Sequence, residues 1–105
     1  MNEDVLLALA DPVRREILDL LAHSDAATAT ALAAALPVTR QAVTKHLAVL
    51  ERAGLVHSHR AGREVHYTAD PAPVHRATRW LDGLAARWDS RLAAIKALAE
   101  GEQQP

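Results

Sequence analysis

Thr39-Arg40-Gln41-Ala42-Val43-Thr44-Lys45-His46-Leu47-Ala48-Val49-Leu50 is the stretch from which the fold can be read. Val43, Leu47 and Leu50 recur at helical spacing and form one apolar stripe. Arg40, Gln41, Thr44 and Lys45 fall on the opposite face, near the helix start. Thr39 is a favoured N-cap and Gly54 a favoured stop, so this helix is expected over about 39–53. Upstream, Thr28 is expected to cap a shorter helix, Ala29 to Leu36, with Leu32, Ala33 and Leu36 inward and Pro37 ending it. Only Pro37-Val38 separates the two helices. Short helices joined so tightly must cross steeply, which is the helix-turn-helix arrangement.

Reading outward, Leu55 to Arg60 and Arg63 to Ala69 are expected to pair as strands around an Ala61-Gly62 turn, a wing over 55–69. That turn would pair His57 with His66 and Ser58 with Val65. Val56, Ser58, Val65 and Tyr67 would then share the inner face, and His57, His59, Glu64 and His66 the outer one. Asp70-Pro71 restarts the chain into a last helix over about 71–100. Its stripe is Leu81, Leu84, Trp88, Leu92, Ile95 and Leu98, with Trp80 beside it, and 101–105 are expected as a disordered tail. Towards the N-terminus, Val5, Leu6 and Leu9 suggest a short first helix. Asp11-Pro12 then caps and starts a second, whose apolar positions are Val13, Ile17, Leu20 and Leu21, with Arg14, Arg15 and Glu16 outside. His23 suits the end of that helix. The expected fold is mainly α with one β-hairpin: five helices in a single winged helix-turn-helix domain over 1–100.

The chain is 105 residues long with net charge −1, which at first argues against a polyanionic partner. The charge is unevenly placed, however. Residues 1–36 carry −4, residues 70–105 carry zero, and residues 37–69 carry +3, from Arg40, Lys45, Arg52, Arg60 and Arg63 against Glu51 and Glu64. Screening confines a charge's field to about 10 Å, so a local basic surface suffices to hold phosphates. There is no cysteine, which excludes disulfides, thiolate metal sites and thiol switches. An acidic N-terminus and the lack of a long apolar run fit neither a signal peptide nor a membrane span, so a cytoplasmic protein is expected.

A major groove admits one helix, and the hairpin can reach the flanking backbone or minor groove. Arg40 suits guanine, Gln41 suits adenine, and Thr44 and Lys45 suit bases or phosphates. Helix-start amides at Thr39 and Thr28 suit phosphates, and Arg60 and Arg63 flank the wing tip. The partner expected is therefore double-stranded DNA. Enzymatic function finds no support: Ser24, Ser58 and Ser90 lack a His-acid context, there is no Gly-rich phosphate loop, and no paired carboxylates sit in an expected cleft. No cofactor is expected. A winged helix that binds protein instead would present an apolar or acidic recognition face.

Leu9-Ala10-Asp11-Pro12-Val13-Arg14-Arg15-Glu16-Ile17-Leu18 resembles the opening of ArsR-type bacterial repressors. So do Ala31-Leu32-Ala33, the Val38–Leu47 stretch, Leu50-Glu51-Arg52-Ala53-Gly54-Leu55-Val56, Gly62-Arg63 and Tyr67. The resemblance spans residues 5–98. It implies a homodimeric repressor that leaves its operator when an effector, which the sequence does not name, binds. It also aligns Arg40, Gln41, Thr44 and Lys45 with base-reading positions and Arg60 and Arg63 with the wing tip. Metal-sensing members carry Cys-x-Cys where this chain has Thr28 and Thr30. Its last helix offers His75, Asp82 and Asp89 but no second His, so it resembles the metal-free branch.

A last helix of about thirty residues spans roughly 45 Å, longer than so small a domain is wide. A second copy is the expected cover, packed on Leu6 of the first helix and Trp80, Leu84, Trp88, Leu92 and Ile95 of the last. The wing-face histidines His57, His59 and His66 with Glu64 leave one alternative, a metal-responsive repressor. Solvated or phosphate-facing side chains are the preferred reading, and no metal site is assigned. His46 is expected to be a hydrogen-bonding helix residue near the wing.

Overall fold

The computed structural model describes residues 3–102. Its elements are α1 (Glu3–Leu9), α2 (Pro12–Ala22), α3 (Ala29–Ala35), α4 (Arg40–Arg52), β1 (Val56–Ala61), β2 (Glu64–Ala69) and α5 (Ala72–Glu102). This is the expected set, five helices and one antiparallel hairpin among the described residues. Each helix-turn-helix start is made by a threonine in extended conformation. Thr28 Oγ1 accepts from the Ala31 amide and Thr39 Oγ1 from the Ala42 amide, both at 3.1 Å. Leu36 is extended and ends α3, which leaves Leu36 to Thr39 as the turn.

Val43, Leu47 and Leu50 are fully buried. They meet Ile17 and Leu21 of α2, Leu32 of α3, Val5 and Ala8 of α1, and Leu55 and Val56 at the root of the hairpin. Each large side chain so buried contributes about 1.5–3 kcal/mol, and this common core sets the angle at which α4 leaves the domain. Gly54, at φ 77°, makes the left-handed step that turns the chain from α4 into β1. That conformation suits glycine.

The hairpin turns one residue later than expected. Ala61 faces Glu64, so Gly62-Arg63 is the two-residue turn, not Ala61-Gly62. His57 faces Thr68, not His66; Ser58 faces Tyr67, not Val65; His59 faces His66. Gly62 has φ 65° and Arg63 does not have positive φ. That pattern fits a turn with glycine at its first central position, whereas the expected turn put glycine second. The pairing shifts by two residues, so each residue keeps its face. Val56, Ser58, Val65 and Tyr67 still share one side, and His57, His59, Glu64 and His66 the other. Ala27 adds a bridge that the sequence did not reveal: it exchanges backbone hydrogen bonds with Tyr67 at 2.8 and 3.1 Å. β2 thus lies between β1 and this short segment.

Arg14 corrects the placement of that residue outside α2. Its side chain is only 17% exposed. Nε and Nη2 donate to the carbonyls of Ala8 (2.7 Å) and Leu7 (3.1 Å), while Arg15 Nη1 donates to Leu9 O at 2.6 Å. A short helix such as α1 needs partners for its terminal carbonyls, and α2 supplies them. Arg14 Nη1 also reaches Nδ1 of His46 at 3.4 Å, so His46 faces α2 and not the wing. His23 closes α2, its Nδ1 donating to Asp19 O at 2.7 Å.

α5 runs to Glu102, so Gly101 and Glu102 of the expected tail are helical; residues 103–105 lie outside the described residues. Pro73 and Ala77 pack down onto the domain, but from Ala85 to Gly101 every side chain is exposed. The helix therefore projects, and the molecule measures 77 × 25 × 21 Å with a radius of gyration of 20.3 Å. A compact chain of this length would have about 13 Å.

Two carboxylates at helix starts couple this architecture to pH. The Asp11 carboxylate accepts from the amides of Arg14 and Val13, and these bonds, the Arg14 amide foremost, lower its pKa. Asp70 is lowered first by its hydrogen bond from His57 Nε2 (2.8 Å) and then by the Ala72 amide (3.0 Å), which it caps at the start of α5. A lowered folded-state pKa stabilises fully above the unfolded value, about 3.9, and that contribution is lost as pH falls through the folded value. Thermal midpoints measured from pH 7 downward should therefore fall below about pH 4. Asp11→Asn keeps a good cap without the charge, and both it and Asp70→Asn should flatten the acid limb. Acid limbs unchanged in both variants would contradict the assignment.

Candidate nucleic-acid interface

With Val43, Leu47 and Leu50 inward, the helical period places Arg40, Gln41, Thr44 and Lys45 outward, and all four are at least partly exposed. They line one shallow concavity on the first two turns of α4. Thr44 Oγ1 donates to Arg40 O at 2.9 Å, which uses its proton and leaves its oxygen free to accept. Thr39 is exposed, but its hydroxyl oxygen is engaged in the cap. Among the described residues, Arg40, Lys45, Arg60 and Arg63 make no salt bridge. Among the described residues these four cations are thus paired with no carboxylate.

The hairpin brings a second element to the same face. Arg63, in the turn itself, lines a groove of about 590 Å³ together with Arg40 and Thr44 of α4, Thr28 and Thr30 at the start of α3, and Glu64, Val65 and Tyr67 of β2. The structure thus joins Arg63 to the α4 set. Arg60 does not join it: it sits on β1 opposite Val65, exposed and not itself part of that groove's lining. Thr30 and Tyr67 are groove residues that sequence reasoning missed. The sequence marks Thr30 only as standing where a thiolate would be, and Tyr67 only as an inner-face residue and part of the family resemblance. Their joint position depends on the bridge between Ala27 and Tyr67, for which periodicity carries no signal.

A further tie joins the helix to the wing. Oε2 of Glu51 accepts from the Ser58 amide at 3.0 Å and from its hydroxyl at 2.5 Å. On the outer wing face the rings of His59 and His66 stack at 5.7 Å between centroids. His66 lies 3.6 Å from Glu64, and His57 is bound to Asp70. Among the described residues no group of three or more His, Cys, Asp or Glu side chains is placed to hold a metal ion.

A helix-turn-helix whose second helix presents Arg, Gln, Thr and Lys outward, with a hairpin turning an arginine onto the same face, defines a winged helix-turn-helix DNA-binding regulator of transcription. Comparison with known proteins agrees. A family profile described as a helix-turn-helix domain matches residues 9–59. The HTH-type transcriptional regulator Rv2034 of Mycobacterium tuberculosis is 39% identical over 95 residues, 90% of this chain and 85% of that protein. Transcriptional repressor SdpR of Bacillus subtilis is 29% identical over 85% of this chain and 98% of its own length. Among solved structures, an ArsR-like transcriptional regulator from Rhodococcus sp. RHA1 superposes with a TM-score of 0.89 at 45% identity, covering 94% of this chain and 90% of that one. The chain belongs to the ArsR family of winged helix-turn-helix regulators. Among the described residues no helix is long and apolar enough to cross a membrane.

The geometry of the wing histidines yields a test. With His57 engaged by Asp70, and His59 and His66 stacked on each other, zinc at micromolar concentration should change DNA affinity by less than about twofold. A tenfold loss on adding zinc, reversed by a chelator and absent in His59→Ala or His66→Ala, would instead make the wing a metal sensor.

Proposed function

We propose that the protein is a homodimeric repressor that binds an inverted-repeat operator, with α4 in the major groove and the wing on the adjacent backbone or minor groove. The observation that carries this reading is the shared groove that holds Arg40, Thr44 and Arg63 side by side. An element that reads base edges and one that holds phosphates are thereby presented to one duplex at once. Arg40 and Gln41 are assigned to base edges, Thr44 and Lys45 to bases or phosphates, Thr39 to the phosphate-facing helix start, and Arg60 and Arg63 to backbone. Repression is inferred from the relative named as a repressor.

The second copy is inferred from α5. Trp80 (42% exposed), Trp88 and Leu92 (58% each) and Ile95 (51%) continue one helical face for which the protomer provides no cover. Leu6 of α1, 37% exposed, adds to it, and Leu84 is already half-buried. Solvated apolar area on this scale marks an interaction surface. Two-fold pairing of α1 and α5 with a second copy buries it and sets two α4 helices about one DNA turn apart, roughly 34 Å or a small multiple.

Light scattering at micromolar concentration should give a dimer. Because Trp88 is exposed in the protomer, Trp88→Ala should leave the helix content intact while weakening the dimer by about 3–5 kcal/mol. A well-folded wild-type monomer would overturn the dimer.

Selection from a random duplex library should yield an inverted repeat, against which variants can be measured. Arg40→Ala should cost about 1–3 kcal/mol per half-site and relax preference at one position in each. Arg63→Ala should weaken selected and scrambled duplexes alike and reduce the salt slope by about one for each phosphate no longer neutralised. If Arg40→Ala weakened both duplexes equally while Arg63→Ala altered preference, the two roles would be reversed. If wild type bound no duplex, the reading would fall.

A further inference from the structure

The last turn of a helix disfavours a carboxylate, because the helix dipole is negative there. A phosphate-facing surface disfavours one too. Glu51 occupies the first setting, as the penultimate residue of α4, and it lies in the basic middle third of the chain, close in sequence to the second. Among the described residues no cation pairs with it. It holds the wing instead, accepting from both the amide and the hydroxyl of Ser58.

The backbone explains why that amide is free to be held. Tyr67, the cross-strand partner of Ser58, exchanges both of its backbone hydrogen bonds with Ala27. The Ser58 amide therefore points away from β2, to the open edge of the hairpin, where Glu51 meets it. β1 needs such a fastening. Only Val56 at its root is buried and the next five residues are exposed, so about 16 Å of strand lies beyond the packed end. The connection from α4 is short and pivots at Gly54, whose amide bonds to Glu51 O at 3.0 Å, while the Leu55 amide bonds to Leu50 O at 2.9 Å. These bonds fix the root of the strand. The Glu51–Ser58 clasp fixes its pitch.

We propose that Glu51 is a positioning residue for DNA binding: it sets the wing so that Arg63 at the tip and Arg40 on α4 reach one duplex together. The inference rests on the DNA-binding reading above. It has a distinctive sign. Removing an anion near the phosphate-facing side should tighten binding if charge alone matters; loss of the clasp should weaken it.

The test is a double-mutant cycle on the selected duplex. Glu51→Ala should weaken binding about tenfold, as removal of roughly one DNA-binding side chain would. Glu51→Gln keeps a carbonyl for Ser58 and should stay within about twofold of wild type. On an Arg63→Ala background, Glu51→Ala should add less than about twofold, because the arginine it positions is already gone. Circular dichroism and light scattering establish that each variant is a folded dimer. If Glu51→Ala fails to fold, Ser58→Ala, which keeps the amide bond and loses the hydroxyl bond, takes its place in the cycle with a smaller loss expected. Binding by Glu51→Ala equal to or tighter than wild type, or a full additional loss on top of Arg63→Ala, overturns the clasp. An Arg63→Ala variant that binds like wild type overturns it too, since the wing then has nothing to deliver. Wild type that binds no duplex defeats the DNA-binding reading itself.

Discussion

Everything on the outer face of this domain depends on the burial of three side chains, Val43, Leu47 and Leu50. They are fully enclosed by α1, α2, α3 and the root of the hairpin. A helix locked along one stripe has no freedom to rotate about its axis, so the opposite face is fixed as well. Arg40, Gln41, Thr44 and Lys45 are outward for that reason, and the core alone aims them. Such a helix can carry varied surface chemistry at little cost, because its orientation is determined beneath it.

The polar interactions act where the core runs out. α1 is two turns long and would fray alone, since isolated helices of that length are marginal; Arg14 and Arg15 take its last three carbonyls. β1 leaves the core after Val56, and Glu51 holds it from the last turn of α4. Asp70 joins the wing to α5, bonded at once to His57 and to the amide that starts the helix. Each tie joins two elements at a boundary: α1 to α2, α4 to the wing, and the wing to α5.

α5 shows what a small chain does when its own core is insufficient. About half its length has nothing beneath it in the protomer, yet its sequence keeps an apolar stripe through Leu98. Holding Trp88, Leu92 and Ile95 in water is unfavourable, and covering them would be favourable. In the proposed dimer the same helix would supply both the missing core and the two-fold symmetry that a pair of α4 helices needs.

What the sequence by itself determined was whatever depends on local spacing and local chemistry. Thr28 and Thr39 as caps, Pro37 as a stop, the Val43-Leu47-Leu50 stripe and the outward set on α4 all follow from helical periodicity and from side chains that bond within a few residues. The faces of the hairpin were legible for the same reason, because alternation survives a two-residue slip in pairing. The register itself was not, since Ala61-Gly62 and Gly62-Arg63 both supply a glycine and only the backbone decides which turn position takes positive φ. Tertiary structure alone decided the contacts between groups far apart in the chain: Arg14 turned inward to α1 and His46, Ala27 bridging to Tyr67, Thr30 and Arg63 sharing a groove, and Glu51 reaching Ser58. A charged side chain has the same local signature whether it is solvated or engaged. Which it becomes depends on what the folded core brings within about 3 Å of it.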